Sequence, residues 1–180
     1  KDITKPSDNT LNLTFQHILT RINFAAKLAD SNYTYTVESI TITGAKGGAA
    51  TYTFGGTEGK GGNWNITGSA PASGYSYTFD NTVTAKDDIY DYTQNNNSLM
   101  LYPQSLTDAK ITVKYKTEKD NATFFNGSKE VALTGEWTNG QSIRYILTLP
   151  VGAEKMSVNT TYDEDWNATD NEQTPKTPVL

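Results

Sequence analysis

The stretch formed by residues 98–116, SLMLYPQSLTDAKITVKYK, constrains the fold of this chain more than any other. Its first half is a short apolar run that stops at Pro103, because proline has no N–H to donate to a sheet ladder. Its second half alternates strictly between apolar and polar residues: Ile111, Val113 and Tyr115 against Lys110, Thr112, Lys114 and Lys116. Such alternation predicts a strand with one buried and one solvated face. We therefore expect Pro103 at a sheet edge or at a crossing between two sheets.

Alternation of the same kind predicts strands along most of the chain. They cover residues 49–54, 64–67, 75–85, 143–149 and 156–162, and a glycine-rich loop separates the first two. Asn139-Gly140 lies between two apolar runs and predicts a β-hairpin, because both residues tolerate positive φ. The strands and their regular turns predict an all-β chain, an antiparallel Greek-key β-sandwich of about 7–10 strands.

Two segments change phase within the alternating pattern. In residues 33–43 the apolar positions shift at Glu38-Ser39, which predicts an extra, bulged residue there. In residues 11–29 a similar shift follows Phe15 and favours a bulged strand. The alternative for residues 11–29 is a helix, because their apolar residues also match helical spacing.

The alternating pattern ends near Trp166, and this sets the expected domain organisation. We expect one β-sandwich domain over residues 1–166 and a flexible polar tail over residues 167–180. The tail contains Pro175 and Pro178 and has no sustained alternation, as exposed termini often do.

Charge and cysteine content exclude several classes of function. The chain has 180 residues, a net charge of −5 and no cysteine. We expect no nucleic-acid partner, because no basic stripe is present to displace phosphate counterions. No apolar run is long enough to span a bilayer and no signal peptide begins the sequence, so the chain is cytosolic, already processed or part of something longer. Without cysteine, thiolate metal sites and disulfides are excluded.

No pattern of reactive residues indicates catalysis. His17 is the only histidine, no Gly-x-Ser-x-Gly elbow is present, and we expect a partly buried imidazole that hydrogen-bonds to backbone. Carboxylates cluster at Asp87-Asp88-Asp91 and at residues 163–165, but neither cluster has the EF-hand spacing. Solvated charge is expected there, with a loop calcium site as the alternative. The sequence therefore predicts a non-enzymatic protein with no catalytic, cofactor-binding or metal-binding residues and no cofactor.

Three tryptophans, Trp64, Trp137 and Trp166, allow two interpretations. We expect them to fill the sandwich core and its rims, because aromatic side chains bury large areas at low entropy cost. The alternative is an exposed surface on which sugar rings stack.

Four stretches, in this order along residues 11–166, resemble the fimbrillin family of Bacteroidales surface proteins, the type V pilin group. The first is Leu11-x-Leu13-x-Phe15-x-His17-x-Leu19 followed by Ile22 and Phe24, and the second is residues 39–44. The third is residues 99–104 leading into residues 111–113. The fourth runs from Trp137 through Asn139-Gly140 to residues 145–147 and ends at Val158 and Trp166. The resemblance implies a transthyretin-like sandwich at the cell surface or in a fimbrium, associated with the outer membrane.

The implied function is that of a fimbrial subunit or a fimbria-associated adhesin. The expected partners are other fimbrial subunits or host and bacterial surface ligands, with no membrane span but a lipid anchor on the precursor. In the family, trimming of an N-terminal strand leaves a groove that a strand from the next subunit fills. The alternative function is a surface carbohydrate-binding sandwich that captures glycans.

Two features depart from the family pattern. Family members carry an N-terminal domain before the Phe-x-His segment, whereas this sequence starts just ahead of it. The prolines in residues 174–178 make a poor donor strand, because they cannot donate to a ladder. A polymerising subunit and a terminal or accessory subunit therefore both stay open.

Overall fold

The computed structural model describes residues 16–55, 62–79, 89–93 and 97–162. Within these ranges the chain forms eleven strands and no helix, which confirms the all-β prediction. They are β1 (Thr20–Leu28), β2 (Thr34–Thr43), β3 (Ala50–Phe54), β4 (Gly62–Ile66), β5 (Tyr75–Thr78), β6 (Tyr90–Asp91), β7 (Leu99–Leu101), β8 (Lys110–Lys119), β9 (Ala122–Ala132), β10 (Ser142–Leu149) and β11 (Ser157–Tyr162). None of the described residues forms a helix that is long and apolar enough to cross a membrane.

The strands form two main sheets and a separate hairpin. The first sheet has the order β11-β10-β1, with β6 and β7 both paired to the other side of β1. The second sheet has the order β5-β2-β8-β9, and among the described strands β3 pairs only with β4. The pairs are antiparallel except for β1 and β10, which run parallel. The predicted Greek-key connection stays a prediction, as does the domain boundary at residue 166, which lies outside the described residues.

The core lies between the two main sheets. Its residues come from alternate positions of both: Ile22, Phe24, Ala26, Tyr145, Leu147 and Leu149 from the first sheet, and Tyr35, Val37, Ile40, Ile42, Ile111, Val113 and Tyr115 from the second. Burial of each large apolar side chain contributes roughly 1.5–3 kcal/mol, so this shared layer holds the sheets together. The outward residues Lys110 and Lys114 are exposed, as the alternation predicts.

The chain crosses from the first sheet to the second directly after Pro103. β7 pairs with β1 in the first sheet, whereas β8 pairs with β2 in the second. Leu106 anchors the crossing, because its side chain is buried and its amide donates to the Gly135 carbonyl at 3.0 Å. The expectation of a sheet crossing at Pro103 is confirmed.

The predicted bulge in β2 is also confirmed. The pairing of β2 with β8 shifts register between Val37 and Ser39, so Glu38 is the extra residue. The shift lets Val37 and Ile40 both face the core, although they are three positions apart. Residues 20–28 form a strand and not a helix, but Leu11, Leu13 and Phe15 lie outside the described residues.

The prediction of a β-hairpin at Asn139-Gly140 is wrong. β9 and β10 belong to different sheets and do not pair. A type I′ hairpin needs positive φ at both central residues, but only Gly140 has it, at 68°. The segment between β9 and β10 instead joins the sheets, with the Trp137 amide donating to the Gln104 carbonyl at 2.9 Å and the Gly140 amide to the Leu19 carbonyl at 3.1 Å.

A two-residue turn of the predicted kind does occur elsewhere. Asp120 and Asn121 have φ values of 51° and 66° and connect β8 to β9. Most of β9 was not expected from the sequence, because Gly127 and Lys129 interrupt its apolar face.

Candidate functional site

The edges of the two main sheets are the first candidate site, since the resemblance implies strand addition. An edge strand presents unpaired N–H and C=O groups that can pair with another chain. Among the described residues, the first sheet has edges at β11 and at β6 and β7, and the second has edges at β5 and β9. β5 has four residues, so it offers little length for an added strand.

The β9 edge is long but carries features that oppose pairing. Lys129 lies in the core-facing row of β9, opposite Val113, and its ammonium sits 4.9 Å from the centroid of the Phe125 ring. Gly127 lies in the same row, and the register shifts near the start of the strand. Inward-pointing charges and bulges are the devices by which natural sheets protect their edges.

The edge at β6 and β7 is interrupted. β7 pairs with the start of β1 and β6 with Ala25 and Ala26, so no strand in the described part of the chain pairs with the middle of β1 on this side. Neighbouring residues fill this gap: the Phe24 amide donates to the Thr93 hydroxyl at 2.8 Å and the Phe24 carbonyl accepts from the Tyr92 amide at 2.9 Å. The side-chain amide of Asn23 lies 2.6 Å from the Ser98 hydroxyl. The two short strands therefore offer no continuous edge within the described residues.

The β11 edge has none of these obstacles. Its six residues pair with β10 in a continuous register and include no charge, no proline and no glycine. Five of the six are exposed, and β10 is their only strand partner within the described residues. Of the edges in the described part of the chain, β11 is the one best suited to accept another strand.

The second candidate site is a cleft of about 350 Å³ beside the β3–β4 hairpin. Its apolar wall comes from Trp64, Ile66 and Pro103. Its polar rim comes from the loop after β2 and from the crossing segment after Pro103: Lys46, Gln104, Ser105, Thr107 and Asp108. Polar residues therefore outnumber apolar ones in the lining of this cleft.

Trp64 is held firmly at this cleft. Its indole N–H donates to the Ile18 carbonyl at 2.6 Å, while Tyr52 and Tyr102 lie with ring centroids at 5.0 Å and 4.6 Å. Gln104 fixes the opposite wall, because its side-chain oxygen accepts from the Lys46 amide at 2.7 Å and its nitrogen donates to the Lys46 carbonyl at 3.1 Å. Both walls are thus set before any ligand arrives.

The structure separates the three tryptophans. Trp137 is a core residue with 2% exposure, and its indole N–H donates to the Tyr145 hydroxyl at 2.8 Å. Trp64 is half-buried at the cleft, and Trp166 lies outside the described residues. Nothing in the sequence indicated that Trp64 would meet residues 103–108, because their proximity depends on how the β3–β4 hairpin folds back.

The expectation of a partly buried His17 is wrong. His17 is exposed in the segment that precedes β1, whereas the expected hydrogen bond to backbone stays a prediction. Of the two carboxylate clusters, only Asp91 is described, and it forms an ion pair with Arg144 at 2.5 Å. Among the residues described, no group of three His, Cys, Asp or Glu side chains is placed to hold a metal ion.

Buried tyrosines account for the large pKa shifts. Burial raises the pKa of Tyr145 to about 12, although the hydrogen bond from Trp137 acts in the opposite direction. Burial also raises the pKa of Tyr92 and of Tyr115. These hydroxyls stay protonated at neutral pH. The Tyr115 hydroxyl donates to the Pro150 carbonyl and the Tyr145 hydroxyl accepts from the Trp137 indole, whereas the Tyr92 hydroxyl is buried without a hydrogen-bond partner among the described residues.

Comparison with known proteins gives one family and several similar folds. The model of the family described as fimbrillin-like matches residues 1–166. A fimbrial protein from Bacteroides vulgatus ATCC 8482 has a similar structure, with 16% identity and a TM-score of 0.56 over 82% of this chain and 54% of that one. A candidate cell adhesion protein from Bacteroides uniformis ATCC 8492 has 12% identity and a TM-score of 0.46, over 89% and 56% of the two chains. The chain thus spans about half the length of these structures. Comparison with curated protein sequences gives no match.

Proposed function

Because the chain belongs to the fimbrillin-like family, we propose that it is a non-enzymatic fimbrial subunit or fimbria-associated adhesin at the outer-membrane surface. Its proposed partners are other fimbrial subunits or surface ligands. The family membership supports this role, and the all-β sandwich is consistent with it.

The proposed mechanism of assembly is strand addition at the β11 edge. The observation that carries it is the contrast between the edges: β11 is continuous and uncharged, whereas β9 has Lys129 in its core-facing row. An incoming strand gains backbone hydrogen bonds along β11 and places alternate side chains over the core. Val158 already packs partly against that core, so the row it belongs to is suited to receive apolar neighbours.

A single lysine on β11 tests this mechanism. Thr160 lies opposite Tyr145, so it belongs to the core-facing row, and Thr160→Lys reproduces on β11 the charge that Lys129 places on β9. We expect Thr160→Lys to remove the heat-resistant ladders of matured protein on a denaturing gel. Ser128→Lys, at an exposed position of β9, is the matched control and should leave the ladders unchanged.

The gel experiment tests how the protein assembles, and a separate experiment tests where it is located. Ladders that survive Thr160→Lys would refute addition at β11, and a purely monomeric matured parent protein would refute polymerisation altogether. Immunogold microscopy addresses the compartment independently, since we expect label on the cell surface. Label confined to the cytoplasm would contradict the fimbrial role.

Surface glycan capture is the second candidate function. The observation that favours it is the placement of Trp64, the aromatic wall of a cleft with a polar rim. This function is compatible with an adhesin and does not depend on polymerisation.

A further inference from the structure

We propose that the cleft beside the β3–β4 hairpin binds one neutral pyranose ring of a surface glycan. The proposal deepens the glycan-capture candidate and does not rest on strand addition at β11. It assigns the cleft residues to three roles, namely an aromatic wall, a hydrogen-bonding rim and a rigid frame.

The aromatic wall is the Trp64 indole. The C–H groups on one face of a pyranose are apolar and slightly positive, so they pack well against an aromatic π system. Because the Ile18 carbonyl and the rings of Tyr52 and Tyr102 fix the indole, no side-chain freedom is lost when a sugar arrives. Avoiding that entropic cost is how preorganised sites gain affinity.

The rim offers both donors and acceptors. Sugar hydroxyls donate and accept at once, so they need a partner of each kind. The Lys46 ammonium supplies donors and the Asp108 carboxylate supplies acceptors, and within the described residues neither makes another hydrogen bond or ion pair. Ser105 and Thr107 add two hydroxyls, which lie 2.8 Å from each other.

The charges of the rim favour a neutral ligand. One ammonium and one carboxylate line the cleft, so their charges cancel. An acidic sugar or a phosphate would be attracted by Lys46 but repelled by Asp108, whereas neutral hydroxyls suit both groups. The volume of about 350 Å³ lies near the lower end of ligand sites, so it suits one ring better than a long oligosaccharide segment.

The frame around these groups is also fixed. Gln104 binds both backbone groups of Lys46, and it donates to the Tyr102 carbonyl at 3.1 Å, which ties the β2 exit loop to the crossing segment. On the other side, Gly44 has a φ of 79° and packs against the backbone of Asp108. The backbone positions of Lys46 and Asp108 are thereby set by contacts within the protein and not by the ligand.

Saturation-transfer NMR on the monomeric protein tests the proposal. The probes are glucose, galactose, mannose, fucose and N-acetylglucosamine, with galacturonate as the acidic comparison. We expect transfer from the protein to at least one neutral sugar, and binding about tenfold weaker in Asp108→Ala, which removes the acceptor. Trp64→Phe keeps a ring but shrinks the wall, so it should weaken binding less.

The matched control is Asn65→Ala, since Asn65 is exposed and points away from Trp64 on β4. It should bind as the parent does, and thermal melts confirm that each variant is folded. Absence of transfer to every neutral sugar, preference for galacturonate, or unchanged binding in a folded Asp108→Ala would each overturn the proposal. None of these results bears on the gel ladders, so failure here is distinguishable from failure of the fimbrial role.

Discussion

The hydrogen bond between Trp137 and Tyr145 allows a quantitative test of how the core is held together. The indole N–H donates to the tyrosine hydroxyl at 2.8 Å, and both side chains are buried, with exposures of 2% and 3%. Tyr145→Phe removes the acceptor and leaves the indole N–H without a partner. Because a buried unsatisfied donor costs about 1–3 kcal/mol, the free energy of unfolding should fall by that amount.

The double variant sharpens the test. Trp137→Phe leaves the Tyr145 hydroxyl without its donor and adds a cavity, so it should cost more than Tyr145→Phe. The double variant loses both polar groups and retains only the cavity cost. The cost of the double change should therefore be smaller than the sum of the single costs by about 1–3 kcal/mol.

Urea unfolding at neutral pH measures these differences, provided that the m-values of the variants agree. Tyr102→Phe is the matched control, because its hydroxyl donates to the Gly48 carbonyl at 3.1 Å on the exposed side. Water replaces that bond, so the control should change stability by less than about 0.5 kcal/mol. If the two single losses of stability add up to the loss in the double variant within about 0.5 kcal/mol, the coupling between Trp137 and Tyr145 is refuted.

Two further predictions concern alkaline stability and a turn. Burial raises the pKa of Tyr145 to about 12, against 10.0 for an ordinary tyrosine. The contribution of the buried hydroxyl to the free energy of unfolding is therefore complete below pH 10 and is lost as the pH rises towards 12. Because burial also raises the pKa of Tyr92 and Tyr115, unfolding followed by circular dichroism should show a larger total loss, of which Tyr145 contributes about 2–3 kcal/mol. Tyr145→Phe should reduce the loss by that amount. Gly44→Ala would overlap the Asp108 carbonyl at a positive φ, whereas Gly135→Ala meets the same φ penalty in open space. Thermal melts should show Gly44→Ala to be more destabilised, by about 1–3 kcal/mol; equal melting temperatures would contradict the overlap.

The fold could be predicted where one face of a strand is apolar. Alternation located β8 and the bulge in β2 correctly, because burial of one face requires that pattern. β9 was not predicted because Gly127 and Lys129 interrupt its apolar row. An edge strand tolerates such residues in the row that faces the core. The turn at Asp120-Asn121 was the local signal that could have revealed β9, since both residue types tolerate positive φ.

The candidate sites were less accessible to sequence reasoning. Asn139-Gly140 was misassigned because local turn chemistry does not say which sheet the next strand joins, and β10 pairs in parallel with β1. The cleft depends on contacts between Trp64 and the segment after Pro103, which are set by tertiary packing. From the sequence, Trp64 was compatible either with packing at the rim of the sandwich or with sugar stacking. In the structure it is half-buried and forms one wall of the cleft.

The parallel pairing of β1 with β10 has a consequence for how the chain folds. The Thr20 hydroxyl donates to the Thr138 carbonyl, 118 positions away, and the register continues from Arg21 with Ser142 to Leu28 with Leu149. One side of β1 therefore stays unpaired until residues 142–149 have been synthesised and have closed a very long loop. Contacts of such high sequence separation slow folding and prolong exposure of unpaired strands. A chain of this kind benefits from being kept unfolded, or guarded by a chaperone, until its last strands are available.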